Sequence, residues 1–148
     1  MEQPSLTWIV AADGSEARIF AEPSRAGPLR ELADLRMTAD LQDRRRNNGR
    51  ATVHDRVGFG RHAVGEGRPA EAAERRFLEK VAAMIAKEGG QTAFEHLVLM
   101  GPPRAIGALR RALPEAVVRR LELTDPHERK GLSAEEIRDC LRAARARA

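Results

Sequence analysis

The sequence predicts an α/β protein with one mixed sheet of about five strands and three helices, forming a single domain over residues 1–148. Three observations predict it. The first apolar blocks are of strand length and divided by turn residues. The later apolar blocks alternate between helical spacing and strand length, the order that builds parallel β-α-β crossovers. A chain of 148 residues is also the usual size of one domain.

Leu6 to Ala12 is an apolar run too short for a helix and reads as a buried strand. Asp13-Gly14 is a turn signal, and Ala17 to Ala21 resumes the strand pattern, so the two runs predict a hairpin. Pro23, Gly27 and Pro28 break the chain. Leu29 to Met37 begins with helical spacing, but its place in a meander favours a third strand. Pro69 opens a long helix, because a missing N–H costs nothing in the first turn. Ala70, Ala73, Phe77, Val81 and Met84 trace its apolar stripe, Leu78 and Ile85 widen it, and Gly89-Gly90 closes it.

Phe94 and Leu97 to Met100 predict a second buried strand, ended by Gly101-Pro102-Pro103. Ile106, Leu109, Arg110 and Leu113 outline a short amphipathic helix that Pro114 stops. Val117, Val118, Leu121 and Leu123 predict another strand, closed by Asp125-Pro126. Ser133 followed by Glu136 is a capping box for a last helix reaching about Arg145.

Residues 42–68 differ from the rest and read as a long basic loop. From Arg44 to Arg68 there are seven arginines, Arg44, Arg45, Arg46, Arg50, Arg56, Arg61 and Arg68, against Asp55 and Glu66 alone. Gly58, Gly60, Gly65 and Gly67 punctuate it, and Val53, Val57 and Phe59 are its few large apolar groups before His62. A stretch of this length without periodicity inside a compact domain is usually functional or disordered. The planar guanidinium suits phosphate, so these arginines, with Asn47, Asn48 and His62, form the candidate RNA-binding set. The alternative is a solvated surface loop.

Composition narrows the partner. The net charge is +4 and the pI about 10.1, nearly all from arginine, and a coding bias towards Ala and Arg would produce part of it. One Trp, four Phe and no Tyr leave little for base stacking. RNA or the ribosome is the expected partner, with no membrane, since no apolar run approaches the roughly 20 residues of a spanning helix. The oligomeric state is not legible. Cys140, the single cysteine, cannot form an intrachain disulfide and reads as a packed thiol beside Ile137 and Leu141. The first residues lack a basic stretch followed by a long apolar one, so the expected location is cytoplasmic.

Other candidates are weaker. Arg104 with the N–H groups of Ala105 and Ile106 stands where a strand end meets a helix start, a place that favours anions. A tight strand-to-helix turn set by two prolines is the simpler reading of the same residues. His54 and His62 have no Cys partner or i, i+4 companion for a metal. His96, ahead of a strand, and His127, in a turn, read as structural. Asp13 could hold a metal only with converging carboxylates such as Asp34 or Asp125, whereas Asp before Gly is ordinary turn chemistry. The sequence therefore supplies no catalytic residue, no metal site and no cofactor.

Trp8 to Gly14, with Ala17-Arg18-Ile19-Phe20, resembles the opening of the bacterial family of proteins required for attachment to host cells. Phe77, Leu97 to Pro103 and Gly107-Ala108-Leu109-Arg110 resemble its second half. The resemblance implies a fold like the middle domain of archaeo-eukaryotic peptide-release factors, itself ribonuclease H-like. In release factors the loop before the long helix carries a catalytic Gly-Gly-Gln. The loop here has none, and Gly89-Gly90-Gln91 follows the helix instead. The resemblance therefore implies a non-enzymatic RNA- or ribosome-binding module. The alternatives are an attachment factor acting indirectly from the cytoplasm and a cryptic metal-dependent hydrolase using Asp13 or the loop histidines.

Overall fold

The structure is a computed structural model that describes residues 6–39, 69–89 and 93–148. Among them are six strands, β1 (Thr7–Ala12), β2 (Glu16–Glu22), β3 (Arg30–Glu31), β4 (Met37–Thr38), β5 (His96–Met100) and β6 (Leu121–Asp125). Four α-helices accompany them: α1 (Pro69–Gly89), α2 (Pro103–Ala112), α3 (Glu115–Val118) and α4 (Ala134–Arg147). The sheet order is β3-β2-β1-β5-β6, with β4 also paired to β2. β1 is antiparallel to β2 and parallel to β5, and β5 is parallel to β6. The predicted class, a mixed sheet fed first by a hairpin and then by parallel crossovers, is the one observed.

Alternation along the strands divides the core in two. Trp8, Val10 and Ala12 of β1 join Ala17, Ile19 and Ala21 of β2 and Leu97 and Leu99 of β5 on one face. Phe77, Leu78, Val81, Ala82 and Ile85 of α1 cover that face with Ile106 and Leu109 of α2 and Val117 of α3. Ile9, Ala11, Phe20, Val98 and Met100 point to the other face, where α4 brings Ile137 and Leu141, with Cys140 at the margin. All six residues of β1 are buried. The ring of Phe94 packs 4.8 Å from that of Trp8, and Arg120 lies over Phe94 while donating to the Gly89 carbonyl at 2.7 Å, which closes the end of α1.

Three expectations are corrected. Leu29 to Met37 is not one strand: β3 and β4 are two residues each, separated by a 3-10 turn at Ala33–Leu35. The helical spacing at Leu32 and Leu35 is that turn, and its residues are too exposed to hold a continuous strand. Val117 and Val118 belong to α3, not to a strand, because Pro114 caps a new helical turn, with Val117 and Val118 N–H groups bonding its carbonyl. His96 is the first residue of β5, so it lies in the strand rather than ahead of it.

β6 contains a bulge that alternation alone does not reveal. Leu97 pairs with Leu121 but Val98 pairs with Leu123, which leaves Glu122 as an extra residue. Leu121 therefore packs with the first core cluster and Leu123 with the second.

α4 covers its face of the sheet with only three buried side chains, Ile137, Leu141 and Ala144, and is tied down at both ends by charge. Arg18 of β2 donates to the carbonyls of Lys130 (2.6 Å) and Leu132 (2.7 Å), just before the helix, while pairing with Glu31. At the far end Arg145 makes two bonds of 2.7 Å to Glu22, which is 1% exposed, and one of 2.8 Å to Glu122. Burial acts to raise the Glu22 carboxyl, but the Arg145 guanidinium and the N–H of Ala26 hold it below its usual range. Ala26 has a left-handed φ of 65°, a conformation costing about 1–2 kcal/mol without glycine. It is held there by its bond to Glu22 (3.0 Å) and by Arg138, which donates to its carbonyl at 2.6 Å.

Removing one partner of a buried pair strands the other charge. Arg145→Met should therefore lower stability in denaturant melts by about 3 kcal/mol, and adding Glu22→Gln should restore part of it. A loss below about 1 kcal/mol would mean that apolar contacts alone seat α4.

Candidate functional site

The carboxyl ends of the parallel strands β1, β5 and β6 open onto one edge of the sheet, where open α/β sheets commonly bind ligands. A cleft of about 430 Å³ lies there, lined by Asp13, Gly14 and Ser15 after β1, by Glu71, Glu74 and Arg75 of α1, by Pro102, Arg104 and Arg111 near or in α2, and by Glu128 after β6. Two glycines shape it. A Cβ on Gly101 would stand 2.2 Å from the Ala12 carbonyl oxygen, so only glycine lets β5 turn into α2 this close to β1. A Cβ on Gly14 would stand 2.5 Å from the Glu74 side chain, so the hairpin turn packs directly against α1.

Asp13 organises the turn as its sequence position suggests, and a further partner adds to it. Its Oδ1 accepts from the N–H of Ser15 (2.8 Å), the N–H of Glu16 (2.9 Å) and the Ser15 hydroxyl (3.0 Å). Its Oδ2 lies 2.7 Å from Lys130 Nζ. Burial would raise this carboxyl, but Lys130 and the three hydrogen bonds outweigh it and hold the pKa at about 2, against an ordinary 3.8. Lys130 is raised in turn by the hydrogen bond to Asp13.

Asp125, at the end of β6, is buried and accepts from Arg129 Nε at 2.9 Å, with His127 Nδ1 at 2.6 Å. Burial acts to raise it, and Arg129 and His127 together pull it below its usual range. Asp13 and Asp125 thus share an edge, but each is held by its own cation, and Asp34 sits in the exposed 3-10 turn. Among the described residues no group of three or more His, Cys, Asp and Glu converges on a metal position.

The strand-to-helix turn at Arg104, Ala105 and Ile106 does border the cleft, through Arg104 and Ala105. Its chemistry differs from the simple anion site that the sequence suggests. Arg104 stands between Glu74 (3.3 Å) and Glu71 (3.9 Å), and the Ile106 N–H already donates to the Pro102 carbonyl at 3.1 Å. The acidic neighbours come from α1, which local sequence at the turn could not show.

The candidate RNA-binding residues Arg44, Arg45, Arg46, Asn47, Asn48, Arg50, Arg56, Arg61, His62 and Arg68, with His54, lie outside the described residues. So do Gly90 and Gln91. The described chain on either side of the basic segment ends beside the cleft. The Ala39 N–H donates to the Ser15 carbonyl at 2.8 Å, and α1 starts at Pro69, two residues before Glu71; Ser15 and Glu71 both line the cleft. Sequence reading missed Lys130 as the partner of Asp13, and it missed Arg75 and Arg111 as cleft residues. Their only signal was a place on the polar side of a helix or turn, which does not say what they face.

A group with a depressed folded pKa contributes stability that is complete above its unfolded pKa and lost as pH falls through the folded value. The stability that Asp13 gains as a carboxylate is therefore present above about pH 4 and disappears towards pH 2. Asp13→Asn keeps the turn acceptor but loses the Lys130 ion pair. Its melting temperature should fall below that of the wild type by a constant amount from pH 5 to 8, and the two curves should converge as pH drops from about 4 to 2. A gap that persists unchanged at pH 2 would contradict the ion-pair account.

No helix among the described residues is long and apolar enough to cross a membrane. No curated protein matches the chain. A family model described as "Protein required for attachment to host cells" matches residues 8–141, from the first residues of β1 to the middle of α4. The match spans both core clusters and the whole sheet, and on it the chain belongs to the family of proteins required for attachment to host cells.

Proposed function

We propose that the protein is a non-enzymatic cytoplasmic module of release-factor-like fold that binds RNA, free or in the ribosome, through its arginine-rich segment. The contacts are assigned to Arg44, Arg45, Arg46, Asn47, Asn48, Arg50, Arg56, Arg61, His62 and Arg68. The observation that carries the reading is the attachment of that segment: the residues flanking it at Ala39 and Pro69 adjoin the cleft at the carboxyl edge of the sheet. Charge distribution supports it. Seven of the 26 basic side chains but only two of the 22 acidic ones lie between Arg44 and Arg68, so the rest of the chain is close to neutral. A polyanion would be drawn to that segment rather than to the fold as a whole.

Affinity would come from phosphate neutralisation, because the chain has one Trp, four Phe and no Tyr for stacking. Binding of labelled single-stranded RNA should weaken steeply with salt, with a slope of log affinity on log salt of roughly −0.7 per phosphate contact. Changing Arg44, Arg45 and Arg46 together to Ala should flatten the slope by about two and leave the melting temperature unchanged. Absence of wild-type binding at low salt, or identical binding by the variant, would overturn the reading.

The family match supports a second reading, a factor in attachment to host cells that acts indirectly from the cytoplasm. Loss of attachment in a strain carrying the triple arginine variant, with no change in bound RNA, would favour it.

A further inference from the structure

We propose that α4 and the turn before it, residues 126–148, form an acid-released latch. Protonation of the carboxylates that hold this segment frees it from the sheet, while the sheet and the helices on its other face stay folded. The proposal is independent of the RNA-binding reading.

Ion pairs divide unevenly between the two faces. Asp13 holds Lys130 at 2.7 Å, and Asp125 holds Arg129 at 2.9 Å and His127 at 2.6 Å. Glu22 and Glu122 both hold Arg145, at 2.7 and 2.8 Å. Arg25 also faces Glu122 at 2.9 Å, and Glu128 stands 3.9 Å from Lys130. Arg18, oriented by Glu31, adds its bonds to the carbonyls of Lys130 and Leu132. On the other face α1, α2 and α3 meet the sheet through apolar side chains. The ion pairs of Arg104 with Glu71 and Glu74, and of Arg119 with Glu115, stay within that helical layer.

Protonation therefore acts on one layer. Burial acts to raise Asp13, Glu22, Glu122 and Asp125, and in each the bonded cations and N–H groups hold the carboxyl below its ordinary range. Arg18 lowers Glu31 in the same way. A group lowered on folding contributes stability that is complete above its unfolded pKa and is lost as pH falls through the folded value. The attachments therefore begin to fail below the ordinary glutamate value of 4.5, and the loss runs down to about 2, where Asp13 titrates.

Topology lets this layer leave alone. α1 lies between β4 and β5, and α2 and α3 lie between β5 and β6, whereas α4 follows β6 and belongs to no crossover of the sheet. Its release would uncover Ile9, Phe20, Val98 and Met100, which now pack with Ile137 and Leu141.

The chain carries one probe for each side. Trp8, the single tryptophan, lies in the first core cluster, and Cys140, the single cysteine, is partly buried on α4 against the second. The test titrates the full chain with acid from neutral pH to about pH 2, following Trp8 fluorescence and the reaction of Cys140 with dithiodipyridine. Each Cys140 rate is divided by that of the unfolded chain at the same pH. Cys140 should become reactive, and anilinonaphthalene sulfonate should bind the uncovered face, at a higher pH than the one at which Trp8 changes. Glu22→Gln with Glu122→Gln should raise Cys140 reactivity at neutral pH by at least roughly tenfold, with Trp8 fluorescence unchanged. Coincident transitions of the two probes would mean one cooperative unit and overturn the latch. A folded double variant with Cys140 as protected as in the wild type would overturn it too. Should that variant fail to fold, the wild-type titration decides alone.

Discussion

β1 is hydrogen-bonded along both edges and covered on both faces, and the remaining chain has to supply a layer for each face. The first face receives α1, α2 and α3 from the crossovers that lead to β5 and β6. Among the described residues the second is covered by α4, with Ile137, Leu141 and Ala144 buried and Ala134 and Cys140 partly buried against it. Charged contacts add to this apolar seat. On that face β2 presents Arg18, Phe20 and Glu22 in alternation, and α4 answers with backbone carbonyls before its start, Ile137 and Leu141 in the middle, and Arg145 near its end. The bulge in β6 serves the same end, because it turns Leu123 towards α4 and leaves Glu122 as a second acceptor for Arg145.

The clamp reaches the candidate site through one residue. Lys130 lies in the turn leading to α4, and its side chain ends on Asp13, at the corner between β1 and β2. The turn that leads into α4 therefore also anchors the Asp13 corner of the cleft. Gly14 and Gly101 then bring α1 and α2 close against that corner. The chain enters and leaves residues 40–68 beside the same corner.

Much of the fold was legible because its signals are local. The Asp13-Gly14 hairpin, the Phe77 to Ile85 stripe of α1 and the Ser133–Glu136 capping box each depend on residues within a few turns, and each forms as read. The misreadings came where neighbours in space decide. Leu29 to Met37 could not show that it would pair with β2 as two short strands on either side of a 3-10 turn, and the β-branched Val117 and Val118 enter a helical turn that Pro114 caps and that places Val117 in the first core cluster. The site divides in the same way. Asp13 and the Arg104 turn could be placed from sequence, whereas the pairing of Asp13 with Lys130, and the convergence of Arg75 and Arg111, join positions far apart in the chain. The charge asymmetry of residues 44–68 is a property of sequence and needed no fold to see.

The central claim is that RNA meets the protein at the basic segment and the edge of the sheet beside it. Ultraviolet crosslinking in cells, followed by sequencing of the recovered RNA and mapping of the crosslinked peptides, tests it most directly. The account predicts RNA recovered above the level of the Arg44, Arg45 and Arg46 variant, with crosslinked peptides from residues 44–68 and from the cleft-facing turns of α1 and α2. Recovery no higher than the variant, or crosslinks confined to α4 and the far end of the sheet, would contradict it.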